Sequence, residues 1–306
     1  MSIPAELMSI LDSTEGLVAL TCVLITLLYG IFQFFPPNKA PIALANPDEW
    51  LSLPLIKKEK LSHDVFRFRF GLQSPEHVLG LPVGQHISFK FNDISGKLVQ
   101  RSYTPTSCDL DIGHVDFVIK VYFKDVHPKF PNGGKMSQYL NNLQIGDKTL
   151  LKGPKGNITY KGKGRFDIKK AGVYMTPPTV KKIGFIAGGT GITPVLQVIR
   201  AIMRDPQDHT EMFLIYANQT EDDILLREEL ESLPKNRLHI WYTLDRPPSK
   251  WEYGTGFINT AMCQEHLPPS GEHTHIFCCG PPPMIKFACE PAFKECGIDE
   301  DSWTSF

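Results

Sequence analysis

The segment KKIGFIAGGTGITPVLQVIRAIM, residues 181–203, decides the fold of this chain. A short apolar run leads into the glycine cluster Gly188-Gly189-Thr190-Gly191, and apolar residues at helical spacing follow it. A strand that passes through glycines into a helix is typical of an α/β domain with a parallel sheet. Glycines at such a turn let a ligand phosphate approach the backbone, and the helix start supplies N–H groups.

The rest of the C-terminal half repeats this alternation. Buried-strand patterns recur at 211–219, 237–244 and 274–280, and a helical pattern covers 223–233. We therefore predict a Rossmann-like α/β domain over residues 181–306, with ligands bound at the carboxyl ends of its strands.

Apolar residues recur with a different period in residues 51–165. Phe66, Phe68 and Phe70 alternate with arginines, and similar alternation recurs at 86–91. A period of two, interrupted by glycine and proline turns, indicates antiparallel strands. The sequence thus predicts an antiparallel β-barrel or sandwich of about six strands, joined to the α/β domain by a linker at 166–180.

The N-terminal segment, residues 1–37, contains an uncharged apolar run at 16–35. As a helix, such a run spans about 30 Å, the thickness of a hydrocarbon core, so we predict a transmembrane helix there. Lysines follow the run and acidic residues precede it, which places the C-terminal part in the cytosol. A cleaved signal peptide is the alternative, but its leader would be basic and its apolar run shorter. Proline-rich residues 38–50 indicate a linker.

Composition argues against several classes of protein. The 306 residues carry a net charge of −1, which gives no global basic excess for binding nucleic acid. None of the seven cysteines forms a C-x-x-C pair, so we expect no disulfide framework, no zinc site and no iron–sulfur centre. We accordingly predict a protein without a metal site.

A set of short motifs runs in order along residues 50–306: RSYTPTS (101–107), VIKVYF (118–123), GGKMSQYL (133–140), GPKG (153–156), IAGGTGITP (186–194), LDRPP (244–248) and CGPPPM (279–284). Together they resemble the NADH-cytochrome b5 reductases, which are ferredoxin-NADP reductase-like flavoproteins. The resemblance implies an FAD-binding barrel and an NAD-binding α/β domain. It also implies hydride transfer from NADH to FAD, followed by one-electron transfers to cytochrome b5.

The resemblance also implies the site residues, motif by motif. In catalysis, His86 and Thr104 would relay the proton of flavin N5, and Cys279 would lie at the nicotinamide. The implied contacts of non-covalently bound FAD are Arg101, Ser102, Tyr103, Thr104, Val118, Lys120, Phe123, Gly134, Lys135, Met136, Ser137 and Thr193. The implied contacts of NADH are Gly188, Gly189, Thr190, Gly191, Asp245, Cys279, Gly280, Pro281, Pro282 and Met284.

The choice of electron donor depends on Asp245, which follows the third predicted strand. A carboxylate there accepts hydrogen bonds from a ribose 2′-hydroxyl and repels a 2′-phosphate. The LDRPP resemblance assigns that role to Asp245 and predicts NADH over NADPH. The simple dinucleotide rule points instead to residues 218–221, about 20 to 30 residues after the glycines. Arg246, beside Asp245, would weaken the discrimination.

The implied acceptor is cytochrome b5, docked on lysines of the β half. The candidate lysines are Lys120, Lys124, Lys129, Lys135, Lys161 and Lys163. With the predicted anchor, the chain would be a monomer in the endoplasmic reticulum or outer mitochondrial membrane, supplying lipid desaturation, sterol or P450 pathways. Two alternatives stay open: an NADPH-dependent flavin reductase or electron-transfer module for another partner, and a non-enzymatic scaffold.

Overall fold

The computed structural model describes residues 14–34, 40–126, 128, 130–170 and 172–306, without the side chains of 16 and 27–34. The chain divides into two compact units, Met1–Pro41 and Ile42–Phe306. In the first unit, the described residues form helix α1 (Thr14–Phe34). Across the described part of the chain, no helix combines the length and apolar character that a membrane span requires. The transmembrane helix predicted at 16–35 is therefore not confirmed.

An antiparallel sheet of six strands opens the second unit. In the order in which they pair, its strands are β4 (Leu98–Tyr103), β3 (His86–Asn92), β6 (Lys148–Lys155), β1 (Leu51–Lys60), β2 (Val65–Gly71) and β5 (His114–Lys120). Beyond β4, the Thr106 N–H donates to the Asp116 carbonyl of β5 across 2.8 Å, which brings the two edges of the sheet together. The predicted antiparallel domain is thus confirmed.

Alternating aromatic residues fill the interior of this sheet. Phe68, Phe70, Phe89 and Phe117 are fully buried, and the rings of Phe89 and Phe117 meet edge to face with centroids 5.0 Å apart. Such pairs add to the free energy gained by burying apolar area. Helix α2 (Lys135–Asn142) packs its buried side chains onto the same core.

A second, small antiparallel sheet stands where we expected part of the linker. It consists of β7 (Ile158–Gly162), β8 (Arg165–Lys170) and β9 (Val173–Met175). Phe166 and Ile168 are buried in a core that also contains residues of the α/β domain. Apolar burial thus anchors β8, whereas β9 is exposed and the prolines of the predicted linker follow it.

The C-terminal part is a parallel sheet flanked by helices, as predicted. In the order in which they pair, its strands are β13 (Gly254–Thr255), β12 (Leu238–Leu244), β11 (Glu211–Asn218), β10 (Lys182–Gly188), β14 (Thr274–Cys279) and β15 (Trp303–Ser305). Its helices are α3 (Ile192–Arg204), α4 (Arg227–Ser232), α5 (Thr260–His266), α6 (Pro282–Met284) and α7 (Glu290–Glu295), with a π-helical turn at Ile285–Cys289 and 3-10 turns at Gly189–Gly191, Glu221–Asp223 and Glu300–Ser302. The central strand β10 lies between β11 and β14, so the strand order reverses beside it and creates a crevice at the carboxyl ends.

A buried carboxylate joins the two parts of this unit. Asp208, between α3 and β11, is fully buried and accepts a hydrogen bond from the hydroxyl of Tyr160 on β7. It also accepts from the backbone N–H groups of Lys163, across 2.9 Å, and Thr210, across 3.1 Å. Because a buried carboxylate is costly unless it is hydrogen-bonded, these contacts favour one arrangement of β7 against the α/β domain.

Candidate functional site

The start of α2 is a candidate anion-binding cradle on the antiparallel domain. Gly134 precedes the helix without a side-chain cap, and the first turn has no acidic residue. The first N–H groups are thus open to a ligand, and the helix dipole favours an anion. A Cβ on Gly134 would lie 2.6 Å from the Ser137 hydroxyl oxygen, which accepts the Tyr122 N–H across 3.1 Å. The predicted phosphate contacts Gly134, Lys135, Met136 and Ser137 therefore meet at one helix start.

The two predicted relay residues adjoin the same end of the β3–β4 ladder. The last pair of this ladder is Ile87 with Tyr103; His86 precedes Ile87 at the start of β3, and Thr104 follows Tyr103 just beyond β4. Thr104 is buried, and burial lowers the pKa of His86, helped by the charge of Lys155. The imidazole of His86 is therefore neutral at pH 7.

The end of β4 presents the aromatic group expected beside a flavin. Tyr103 meets the ring of Phe89 edge to face, with centroids 5.6 Å apart, and burial raises the pKa of Tyr103 to about 12. Arg101 lies two residues earlier on the same face of the strand and is exposed. The exposed Ser102 lies on the opposite face. The predicted RSYT contacts are thus divided between two faces.

The predicted contacts on β5 have different surroundings. Val118 is buried in the core shared with the α/β domain. The Lys120 ammonium lies 2.6 Å from an Asp223 carboxylate oxygen and 3.1 Å from one of Asp64. Phe123, beyond the strand, is exposed. The side chains of Val118 and Lys120 face the domain interface, so any contact of these residues with FAD would involve their backbone.

The glycine cluster lies at the carboxyl end of β10. A Cβ on Gly191 would lie 2.1 Å from the Cys279 carbonyl oxygen, and one on Gly188 would lie 2.5 Å from the Met284 sulfur. These glycines let the end of β10 touch the end of β14. Gly189 differs, because its φ is +52° and no described atom lies within 4 Å of a Cβ built there. The backbone is therefore open to a ligand at Gly189.

The CGPPPM motif forms the opposite wall of this crevice. Cys279 is the last residue of β14. Gly280 and Pro281 connect this strand to α6, which begins at Pro282. Burial raises the pKa of the Cys279 thiol to about 12. Cys279 is therefore a neutral thiol at pH 7, which suits packing against a ring and not nucleophilic attack.

Helix α3 begins at the opposite side of the glycine turn. Thr193 is buried in its first turn, and its hydroxyl donates to the Thr190 carbonyl across 3.1 Å. This bond holds the turn against the helix start, where Thr193 is predicted to approach the flavin.

Both candidate ribose-recognition segments meet at the ends of β11 and β12. The Asp245 N–H donates to the Asn218 carbonyl across 3.1 Å, and the Arg246 N–H donates to the Gln219 carbonyl across 2.8 Å. Partial burial raises the pKa of Asp245, which the charge of Arg246 opposes. The carboxamide of Asn218, 8% exposed, has no hydrogen-bond partner of normal geometry among the described residues, although the Tyr216 hydroxyl is near. Such a buried carboxamide fits a polar nucleotide.

Comparisons with protein families match both halves of this site. An oxidoreductase FAD-binding domain matches residues 52–160, which contain the antiparallel sheet and the cradle at α2. An oxidoreductase NAD-binding domain matches residues 185–290, which contain the glycine cluster and the CGPPPM wall.

Named relatives match nearly the whole chain. It is 53% identical to NADH-cytochrome b5 reductase 3 of Rattus norvegicus, over 91% of this chain and 94% of the relative. It is 52% identical to NADH-cytochrome b5 reductase 2 of Xenopus laevis, over 93% of this chain and 98% of the relative. The chain belongs to the NADH-cytochrome b5 reductase family. The crystal structure of the cytochrome b5 reductase domain of Ulva prolifera nitrate reductase, 45% identical, matches with a TM-score of 0.81 over 87% of this chain and 100% of that one.

Membership of this reductase family, with both cofactor-binding domains present, makes the protein an oxidoreductase that uses FAD and NADH. The predicted class and cofactors are thus confirmed. The residues present fit both groups: the uncapped start of α2 suits a pyrophosphate, and the open backbone at Gly189 suits a nucleotide.

Polar groups that the sequence patterns did not reveal join the two domains of this reductase. Gln197 and Arg200 of α3 contact backbone groups of the antiparallel domain. Asp223 pairs with Lys120 from a turn far along the chain. The spacing of Gln197 and Arg200 within an apolar helix could have indicated a polar contact face, because residues three apart lie on the same side of a helix. No local pattern predicts the Asp223 pair.

We predict that His86→Ala and Thr104→Val each slow steady-state turnover at least about tenfold, because the two residues would move the N5 proton. His114→Ala is the matched control, since His114 likewise opens a strand of the same sheet. Turnover and FAD content are measured for all three variants. Wild-type turnover in both the His86 and the Thr104 variants would exclude the relay.

We further predict that Asp245→Asn raises the ratio of kcat/KM for NADPH to that for NADH at least about tenfold, or about 1.4 kcal/mol, because a repelling charge is removed. The exposed Asp222 of the same domain gives the control Asp222→Asn. An unchanged ratio in Asp245→Asn, measured by initial rates, would assign donor choice to another group.

Proposed function

We propose that this protein takes a hydride from NADH and delivers single electrons to cytochrome b5. The observation that carries this proposal is one candidate ligand cradle on each of two domains that contact each other through α3. The uncapped start of α2 lies on one domain, and the open turn at Gly189 leads into α3 of the other. The relatives named NADH-cytochrome b5 reductase support the donor and the acceptor.

Each part of the chain has a defined task in this reaction. Bound FAD supplies the redox chemistry, which converts a two-electron donor into single-electron steps. The N–H groups at the start of α2 would bind its pyrophosphate, and Tyr103 would contact its ring. The buried Thr104, together with His86, whose pKa is lowered by burial, would hold the proton at N5. The turn at Gly189 and the wall at Cys279 would orient the nicotinamide.

The acceptor docks on lysines beside α2. Lys124 and Lys135 are exposed there, whereas Lys120 is engaged at the domain interface. Lys161 and Lys163 lie on the separate β7–β8 hairpin, where Lys163 donates to Gln207 across 2.6 Å. Lys129 lies outside the described residues. Lys124 is therefore exposed to an acidic haem protein, and no carboxylate among the described residues pairs with its charge.

The proposal predicts that the KM for cytochrome b5 rises with salt, because screening weakens attraction between opposite charges. Lys124→Glu should raise that KM about tenfold at low salt, whereas the exposed Lys235→Glu of the α/β domain serves as the control. Initial rates with cytochrome b5 and with a small-molecule acceptor are compared. A KM that is flat with salt would refute electrostatic docking, and no cytochrome b5 reduction would refute the acceptor.

We also propose that the N-terminal segment attaches the reductase to a membrane, with the catalytic part in the cytosol. The uncharged run at 16–35 supports this attachment, as do the exposed apolar side chains of α1, among them Val18 and Ile25.

Attachment predicts that the full chain floats with phospholipid vesicles in a density gradient, while residues 38–306 stay in the soluble fraction, because burying an apolar segment in lipid is favourable. Equal distribution of the two proteins would contradict it. NADH oxidation by both proteins shows that each is folded.

A further inference from the structure

One side of α3 carries the polar residues Gln197, Arg200 and Arg204 and faces the antiparallel domain. Because these residues are three and four positions apart, they lie on one face of the helix. The carboxamide oxygen of Gln197 accepts the Gly84 N–H across 2.7 Å, and the Arg200 guanidinium donates to the Thr106 carbonyl. The nucleotide-binding domain thus reaches the other domain through backbone contacts.

Both contacts lie next to the candidate flavin segments. Gly84 precedes His86 by two residues, and Thr106 follows Thr104 by two. Gly84 has little room to move, because its φ is +94° and a Cβ there would lie 2.8 Å from the Ile158 carbonyl oxygen. Helix α3 therefore contacts the chain within two residues of each relay residue.

Arg200 is held in one orientation by Glu229 of α4. Its Nε and Nη2 atoms each lie 2.6 Å from a Glu229 carboxylate oxygen, in a bidentate pair. Such pairs fix the plane of the guanidinium as well as its place. The remaining nitrogen, Nη1, is directed to the Thr106 carbonyl.

Within the antiparallel domain, strand β5 also holds the segment around Thr106. The Thr106 N–H donates to the Asp116 carbonyl across 2.8 Å, and the Ser107 hydroxyl accepts the Asp116 N–H across 2.9 Å. Arg69 in turn forms a bidentate pair with the Asp116 carboxylate at 2.7 Å. Thr106 is therefore clamped between the two domains.

We propose that Arg200, oriented by Glu229, is a positioning residue that holds the Thr104–Ser107 segment at a fixed distance from the nucleotide turn. Through Thr106, it keeps the hydride donor and the flavin-contacting residues in alignment. The inference rests on the proposed function, because it assigns Arg200 to the hydride-transfer step. Arg200 touches neither substrate nor reacting atoms in this assignment.

The test is flavin reduction by NADH in the purified holoenzyme, followed anaerobically by stopped flow. Arg200→Ala should slow the limiting rate roughly ten- to a hundredfold, because small misplacements of reacting groups are costly. The apparent Kd for NADH, the FAD content and reduction by dithionite should stay as in wild type. Arg204→Ala is the matched control: Arg204 lies on the same helix and contacts Cys108, beyond the clamped segment.

Two further measurements separate positioning from a general structural role. Glu229→Ala should slow reduction in the same direction, and adding it to Arg200→Ala should change little, because Glu229 acts through Arg200. Backbone amide hydrogen exchange at 104–107 should increase in Arg200→Ala, and Arg200→Lys should recover part of the rate.

Several outcomes would overturn the inference. Equal slowing by Arg204→Ala would indicate a loosened interface in general. If NADH reduces the flavin of the wild type and of Arg200→Ala at the same rate, Arg200 has no role in the reaction. The proposed function is then unaffected. A wild-type flavin that NADH does not reduce would instead refute the proposed function itself.

Discussion

The contact between α3 and the antiparallel domain is the constraint on which the site depends. The helix begins at the glycine turn, so its N-terminal end forms part of the nucleotide cradle. Its apolar face, which includes Val195 and Ile199, is fully buried in the shared core. Its polar face holds Gly84 and Thr106 of the other domain. One helix thus follows the turn proposed to bind the donor and contacts segments next to the residues proposed to contact the flavin.

Burial of apolar side chains stabilises the contact between the two domains, and polar contacts determine how the domains are oriented. The core around α3 combines side chains of both domains, and removing apolar area from water is the dominant favourable term in folding. The Lys120–Asp223 ion pair crosses the partly buried interface, where desolvation offsets much of its attraction. Its contribution, like that of the hydrogen bond from Arg200 to Thr106, is therefore orientation of the two domains, which a non-directional core cannot supply.

Local patterns were sufficient to predict the two domains and the cradles. The alternating Phe66, Phe68 and Phe70 indicated antiparallel strands, and the glycines after β10 indicated the crevice. Local patterns did not reveal β8 and β9, because β8 buries Phe166 and Ile168 against distant partners in α3 and the parallel sheet, and β9 pairs with β8. They also did not reveal that Lys120 pairs with Asp223, 103 residues away. Long-range partners are set by the packing of the two domains, which single-sequence periodicity does not describe.

The two domains are proposed to align a nicotinamide donor with a bound flavin. The most direct measurement of this alignment is an anaerobic absorption spectrum of the purified protein before and after NADH, and separately NADPH. We expect flavin absorbance at about 450 nm that bleaches quickly with NADH and slowly with NADPH. Equal bleaching by both donors, or no flavin band even after FAD is added, would contradict it.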